Sequence, residues 1–455
     1  MEEELTQEQK QFNRMTKTPI CPLIMKLALP TTISMLVTSV YNLADTFFVS
    51  QIDTSASGAV SVVFSLMAII QAIGFTLGMG GGSIISRSLG AKNQKKASEV
   101  FSTAFFSALA LGVIIAVLGI AFSEPLMNFL GAVPSVLPYA QAYSKYILFG
   151  APIMMGSYVL NNVWRAEGKA VFSMIALGLG GIINIFLDPV FIYKLDLGIS
   201  GAAIATLISQ LVSFILLFIP VLQHKNVSSL GFKYFSRNLS LNADIWLTGL
   251  PSLLRQGLSS ISTILLNKVA GAIAGAAALS AMGIFSKIFM MIFCVGLGIG
   301  QGYQPVLGYN YGARKLKRVR QAFIFTFVFS TGIMVAFGLA LYIFAPDIMP
   351  LFISDPEVID IGTYALRFEA LVMPLLPINV MCNMTFQSLG HRFKASFLSC
   401  LRQGLFFIPC IYVLSNFWGI RGIEAVQPIS DILTFIVSIP FAIVFLRKLS
   451  KETEA

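Results

Sequence analysis

Apolar positions along this chain do not alternate with polar ones; they run on. Long hydrophobic stretches fall near 24–50, 55–84, 99–122, 138–163, 170–193, 200–222, 244–270, 276–308, 321–345, 361–387, 396–416 and 424–446. A helix needs about 20 apolar residues to cross a bilayer's hydrocarbon core. A barrel strand would instead show about ten residues of alternating character. The pattern predicts an all-α polytopic membrane protein with 12 transmembrane helices. Some stretches exceed the spanning length, so tilt, kinks or turns are expected inside them.

Composition leads to the same class. Of 455 residues, 56% are hydrophobic and 11% charged, against about 25% charged in ordinary globular domains. Such a chain cannot cover an aqueous surface. Twelve spans also leave too few residues for a large extramembrane domain. The acidic start, MEEELTQEQK, lacks the basic region of a secretory signal, and the first apolar stretch is too long for one. That stretch is therefore expected to stay as a span.

The net charge of +10 would suggest a nucleic-acid partner in a soluble protein. Here its distribution points to topology, and no nucleic acid is expected. Most Lys and Arg lie in the tails and the even-numbered loops, as in Arg87/Lys92/Lys95/Lys96 and Arg314/Lys315/Lys317/Arg318/Arg320. The odd-numbered loops carry few, and APDIMPLFISDPEVID is purely acidic. By the positive-inside rule both termini are cytoplasmic, in a multi-pass protein of the inner (plasma) membrane. Trp164, Trp246 and Trp418 fall at predicted span ends, where an indole suits the membrane interface.

The two halves of the chain repeat each other at an offset near 221. Leu29-Pro30 matches Leu250-Pro251, and Gly90-Ala-Lys92 matches Gly312-Ala-Arg314. Gly168 matches Gly390, Asn161 matches Asn383, and Gly198-Ile-Ser-Gly201 matches Gly419-Ile-Arg-Gly422. Each unit holds six spans, so both copies run in the same direction, related by an axis along the membrane normal. The expected organisation is an N-lobe over 1–222, a cytoplasmic linker over 223–243 and a C-lobe over 244–455. Two six-helix lobes about a cleft suit a transporter.

Ionisable groups inside spans are costly and usually functional. In the first half these are Asp45 and Asp188. Each lies about six residues from the outer end of its span, as does Thr206, so all sit at a similar depth of roughly 9 Å. Asn184 precedes Asp188 by four residues and shares its helix face. Tyr143 starts its span near that level. Such an oxygen-lined pocket has two readings. Two close carboxylates in a low dielectric would share a proton, or a hard cation such as Na⁺ would take the oxygens. The bland alternative is a hydrogen-bonded pair that fixes helix packing.

The second half is not equivalent. Leu266 and Asn267 stand opposite Asp45, and Gln427 opposite Thr206. This half carries Arg255, Gln256, Lys268, Lys287, Glu369, Arg402 and Asp431, and a stripe of Asn379, Asn383 and Gln387. The asymmetry suggests that ion coupling resides in the N-lobe. The cysteines Cys21, Cys294, Cys382, Cys400 and Cys410 are scattered without CxxC spacing, and His224 and His391 fall in loops. Neither set suggests a disulfide framework, a metal centre or an enzyme, and no cofactor is expected beyond the coupling ion. The glycines of LGMGGGS are not followed by GK[ST] and read as helix packing.

Together these features resemble the multidrug and toxic compound extrusion (MATE) family. The resemblance runs through LALPTTISMLVTSVYNLADTFFVSQI, GMGGGSIISRSLGAKNQKKA, RAEGKA, NIFLDPVFIY and GISGAAIATLISQ. It is closest to the prokaryotic DinF-like branch. It implies a two-lobe exporter of amphipathic, often cationic drugs or toxic metabolites, working as a monomer in the lipid bilayer. H⁺ or Na⁺ would be exchanged for substrate by alternating access. By motif it assigns Asp45, Asn184, Asp188, Thr206 and Tyr143 to cation binding; the first four would ligate Na⁺ if that is the ion. It places Tyr41, Asn161, Gln256 and Asn383 along the cleft, and Pro30 where the first span bends. Gln256 stands where other branches use an acid, which speaks against coupling in the C-lobe. A lipid-linked precursor flippase of the same superfamily is the alternative, favoured by Arg255, Arg402 and Lys268.

Overall fold

The computed structural model describes residues 6–50 and 54–454, and among these the ordered elements are all helical. A short α1 (Gln7–Lys17) starts at Thr6, which forms a capping box with Gln9. The first half continues with α2 (Ile20–Ser50), α3 (Thr54–Gly90), α4 (Gln94–Ala121), α5 (Ser123–Phe129), α6 (Leu137–Ala166), α7 (Ala170–Pro189) and α8 (Gly198–Leu222). The second half holds α9 (Leu239–Gly312), α10 (Leu316–Ile348), α11 (Pro356–Val372), α12 (Leu376–Leu389), α13 (Arg392–Cys400) and α14 (Phe407–Glu454). The chain is an all-α, multi-span membrane protein.

Twelve spans emerge once the joints are read. Helix α9 is two spans, joined where Gly275 takes a positive φ of 64°. Helix α14 breaks at Gly419, with φ 55° and ψ −128°; its first part continues from α13 through a π-turn over Leu401–Phe406. Conversely, α11 and α12 are one span interrupted by a 3₁₀ turn at Met373–Leu375, where Pro374 and Pro377 remove backbone donors. A π-turn over Val190–Lys194 likewise prolongs α7 after Pro189.

The internal repeat is written into the backbone. Gly198 and Gly419 adopt φ of 52° and 55°, and Gly168 and Gly390 adopt 75° and 83°. Lys92 and Arg314 share the same conformation at 57° and 56°. Each pair keeps the repeat spacing, so the same left-handed turns close equivalent loops. Only glycine enters this region without steric cost, which explains why four of the six are glycine.

The halves meet at the end that carries the basic loops. A side chain at Gly80 would collide with the Ile245 carbonyl, and one at Gly249 with the Thr76 carbonyl. Gly298 and Gly302 similarly receive Thr32 and Ala28, and Gly90 receives Tyr309. Small residues thus let α2 and α3 pack backbone to backbone on α9. The hydrophobic cores follow this division. One runs through the first half and across the junction. The other, from Leu266 to Val426, is built from second-half residues alone. Toward the opposite end the last recorded bond between the halves is Ser39 to Cys294, at 3.3 Å. The molecule is closed on the basic side and parts toward the other.

One expectation needs correction. Trp164 is not an interfacial indole: it is 1% exposed, and its Nε1–H donates to the Leu217 carbonyl at 2.9 Å. Trp418, 60% exposed beside the Gly419 turn, has the surface position expected of all three.

Candidate functional site

The groups on α2, α6, α7 and α8 converge near the open end. The Tyr143 hydroxyl donates to Asp45 Oδ2 at 3.4 Å and also lies within hydrogen-bonding reach of Thr206. Asn184 Nδ2 donates to Asp188 Oδ1 at 3.2 Å and to Thr206 Oγ1 at 3.5 Å. The helical spacing of Asn184 and Asp188 puts them on one face, and that face turns inward. Tyr143, Asn184, Asp188 and Thr206 are all buried. The two carboxylates are near enough for Asp45 to act on Asp188 electrostatically.

The cluster is rich in acceptors and short of donors. Asp45 Oδ1, Asn184 Oδ1 and Asp188 Oδ2 are buried without a hydrogen-bond partner. Buried polar atoms are normally satisfied, because leaving one unmade costs about 1–3 kcal/mol. Three such oxygens in one pocket fit a guest that supplies positive charge, either a proton or a hard cation. Among the described residues no three His, Cys, Asp or Glu side chains gather, so the donor chemistry is oxygen from two acids, an amide and hydroxyls.

The other sequence candidates fall in different places. Tyr41, one turn before Asp45, packs its ring against Gly181 of α7 and lies within hydrogen-bonding reach of Gln210. Pro30 is buried in an unbroken α2, with Ser34 Oγ bonded to its carbonyl at 2.9 Å. Asn161 is buried near the basic end of α6, its carbonyl accepting from Ser173 at 3.1 Å. Eighteen residues separate it from Tyr143, about 27 Å along a helix, so it lies far from the oxygen cluster. Gln256 is half-buried on α9. Asn383 is fully engaged: its Nδ2 donates to Ala395 O at 2.7 Å and Ser399 Oγ at 2.5 Å, and its Oδ1 accepts from Arg255 at 3.2 Å.

Three features escaped sequence reasoning. Arg165 reaches across the junction, bonding Gln301 and, at 2.5 Å, Asn162. A cavity of about 280 Å³ lies there, lined by Asn162, Arg165, Gln301 and Gln304. Glu167 accepts from the Val227 and Ser228 amides, each at 2.8 Å, and so docks the segment after α8. Burial raises the Glu167 carboxyl, and those two amides oppose the rise. In the C-terminal half, Arg402 forms a bidentate pair with Asp431 at 2.6 and 3.1 Å, with Glu369 close to both. The RAEGKA motif marks the first two residues, but nothing in it indicates the distant partners.

Known proteins place this architecture. The MatE family model matches residues 30–190 and again 251–413, two copies at the internal repeat. The multidrug export protein MepA of Staphylococcus aureus is 27% identical over 411 residues, 90% of each chain. A solved outward-facing multidrug resistance MATE transporter of the MOP superfamily is 28% identical, covering 99% of this chain and 100% of that one, with a TM-score of 0.92. A MOP superfamily transporter from Pyrococcus furiosus, described as having a binding pocket of reverse polarity that suggests a different function, matches with a TM-score of 0.91. It is 28% identical, with 98% and 100% of the chains covered.

Proposed function

The chain belongs to the MatE family, and on that premise we propose that it is a secondary active multidrug exporter of the DinF-like branch. It exchanges amphipathic, often cationic small molecules for H⁺ or Na⁺. It works as a monomer in the plasma membrane, with both termini and the basic loops cytoplasmic. The N-lobe spans 1–222, the linker 223–243 and the C-lobe 244–455. In this orientation the parted end faces outward.

The observation that carries the reading is the trio of unpartnered oxygens on Asp45, Asn184 and Asp188. Asp45 and Asp188 bind the entering cation, Asn184 and Thr206 complete the oxygen shell, and Tyr143 holds Asp45 in place. Both readings of the guest stay open on this chemistry. Occupancy removes net negative charge from a desolvated pocket, where charge is most costly. The neutralised α2, α7 and α8 can then pack more tightly. Tyr41 joins this change to the substrate face of the N-lobe, and Pro30, which lacks an amide donor, is where α2 yields.

The test is dye efflux from proteoliposomes under an imposed H⁺ or Na⁺ gradient. Asp45→Asn should abolish gradient-driven efflux while the purified variant keeps its thermal stability. Undiminished efflux would reject the assignment, and the gradient that drives wild-type transport names the ion.

A further inference from the structure

A second polar chamber lies in the C-terminal half, away from the oxygen cluster. It encloses about 440 Å³ between α9, α12, α13 and the π-turn at 401–406, lined by Arg255, Ser259, Phe293, Asn383, Arg402 and Gln403 among others. That volume is in the range of drug-sized sites. Ser259 is exposed, so the chamber opens to the outside of the protein.

Its two arginines are not equivalent. Arg402 is neutralised: it holds Asp431 bidentately and stacks over the Phe293 ring, 4.5 Å from the centroid. Gln427 Nε2 adds bonds of 3.1 and 3.2 Å to the same carboxylate. Arg255 has no such partner. Among the described residues it forms no ion pair, and its recorded hydrogen bond is from Nη1 to the neutral amide of Asn383. That amide is pinned by Ala395 and Ser399, so it positions the guanidinium. An unpaired charge in a partly desolvated wall is costly, and a guanidinium presents a fork of donors that matches an oxyanion. Phe293 and Leu297 supply an apolar wall beside it. At the repeat position in the first half stands Ser34, whose hydroxyl bonds its own helix. The charge belongs to this half alone.

We propose that the Arg255 chamber is a subsite for the carboxylate of amphipathic substrates, so that zwitterionic ring compounds are carried as well as simple cations. This rests on the exporter reading and deepens it by naming a substrate class. The apolar wall takes the ring system, Arg255 takes the carboxylate, and a cationic amine on the same molecule is left toward the acid-bearing N-terminal half.

Rhodamine B and its ethyl ester share one ring system and differ in whether the carboxylate is free. Fluorescence anisotropy on the purified, detergent-solubilised full chain measures their binding without requiring transport, so failure of the exporter reading and failure of this one are distinguishable. The wild-type protein should bind the free acid more tightly than the ester. Arg255→Gln, which can still bond Asn383, should weaken the acid about tenfold and the ester less than threefold. Arg255→Lys, which keeps the charge but loses the fork, should fall between and guards against a Gln variant that does not fold. Equal affinity for the two dyes, or equal loss of both in the variants, would overturn the proposal. So would displacement of both dyes alike by short-chain phosphatidic acid, which would assign the guanidinium to a lipid phosphate instead.

Discussion

Tyr143 on α6 donates its hydroxyl to Asp45 on α2 across 3.4 Å, and the second Asp45 oxygen, Oδ1, is left without a partner. The tyrosine thus fixes the carboxylate while keeping half of its accepting capacity free. Tyr143→Phe removes a hydrogen bond worth about 1 kcal/mol, so efflux should slow by about fivefold and the protein should remain folded. Asp188→Asn should instead stop coupled transport, because it removes one of the two charges. Initial efflux rates under one gradient separate the outcomes, and equal effects from the two substitutions would contradict the division of roles.

Closure of the basic side depends on backbone contact at Gly80 and Gly249, where any Cβ meets a carbonyl of the other half. Gly249→Val should wedge the halves apart there, with an overpacking cost of about 1–3 kcal/mol. Ser86, buried in the same junction, becomes the reporter. A cysteine at that position should react faster with an impermeant maleimide from the basic-loop side in the Gly249→Val background. No change in labelling would mean that the junction does not rely on this approach.

The Arg402–Asp431 pair is buried, with side-chain exposures of 9% and 0%. Removing one partner leaves the other charge stranded, a loss of about 3–5 kcal/mol. Arg402→Met should therefore lower the melting temperature in detergent sharply. The double variant Arg402→Met/Asp431→Leu should recover much of it, since an apolar pair of similar volume avoids the desolvation cost. Additive losses would show that the two residues do not act as a unit.

His391, in the turn before α13, has its imidazole pKa lowered below the ordinary 6.5 by burial, with Lys394, Lys448 and Arg87 adding like-charge repulsion. The folded state therefore binds this proton less readily than the unfolded chain. Just below pH 6.5 the unfolded state holds more protons, so stability falls as the pH drops through that window. His391→Gln should flatten that acid-side loss in melting temperature measured between pH 7.5 and 5.5. An unchanged slope would assign the loss to other groups.

Much of this was legible in the linear order of residues. The run lengths of apolar residues dictate spans, because lipid admits no unsatisfied backbone. The 221-residue offset marks the loops where Gly198 and Gly419 later take the same positive φ. The four-residue spacing of Asn184 and Asp188 puts them on one helix face before any packing is known. Depth counted along the helices brings Asp45, Thr206 and Tyr143 to the same level.

Tertiary structure alone decided which faces meet. Depth is a one-dimensional property, whereas azimuth around each helix depends on its neighbours, so the bond from Tyr143 to Asp45 and the remoteness of Asn161 could not be counted out from the sequence. The burial of Trp164 follows from its acceptor on Leu217, 53 residues away. The inequality of Arg255 and Arg402 depends on where one carboxylate, Asp431, comes to rest. Local order fixes what each helix can offer; packing fixes which offers are taken up, because a buried charge is stable only beside the partner that the fold brings to it.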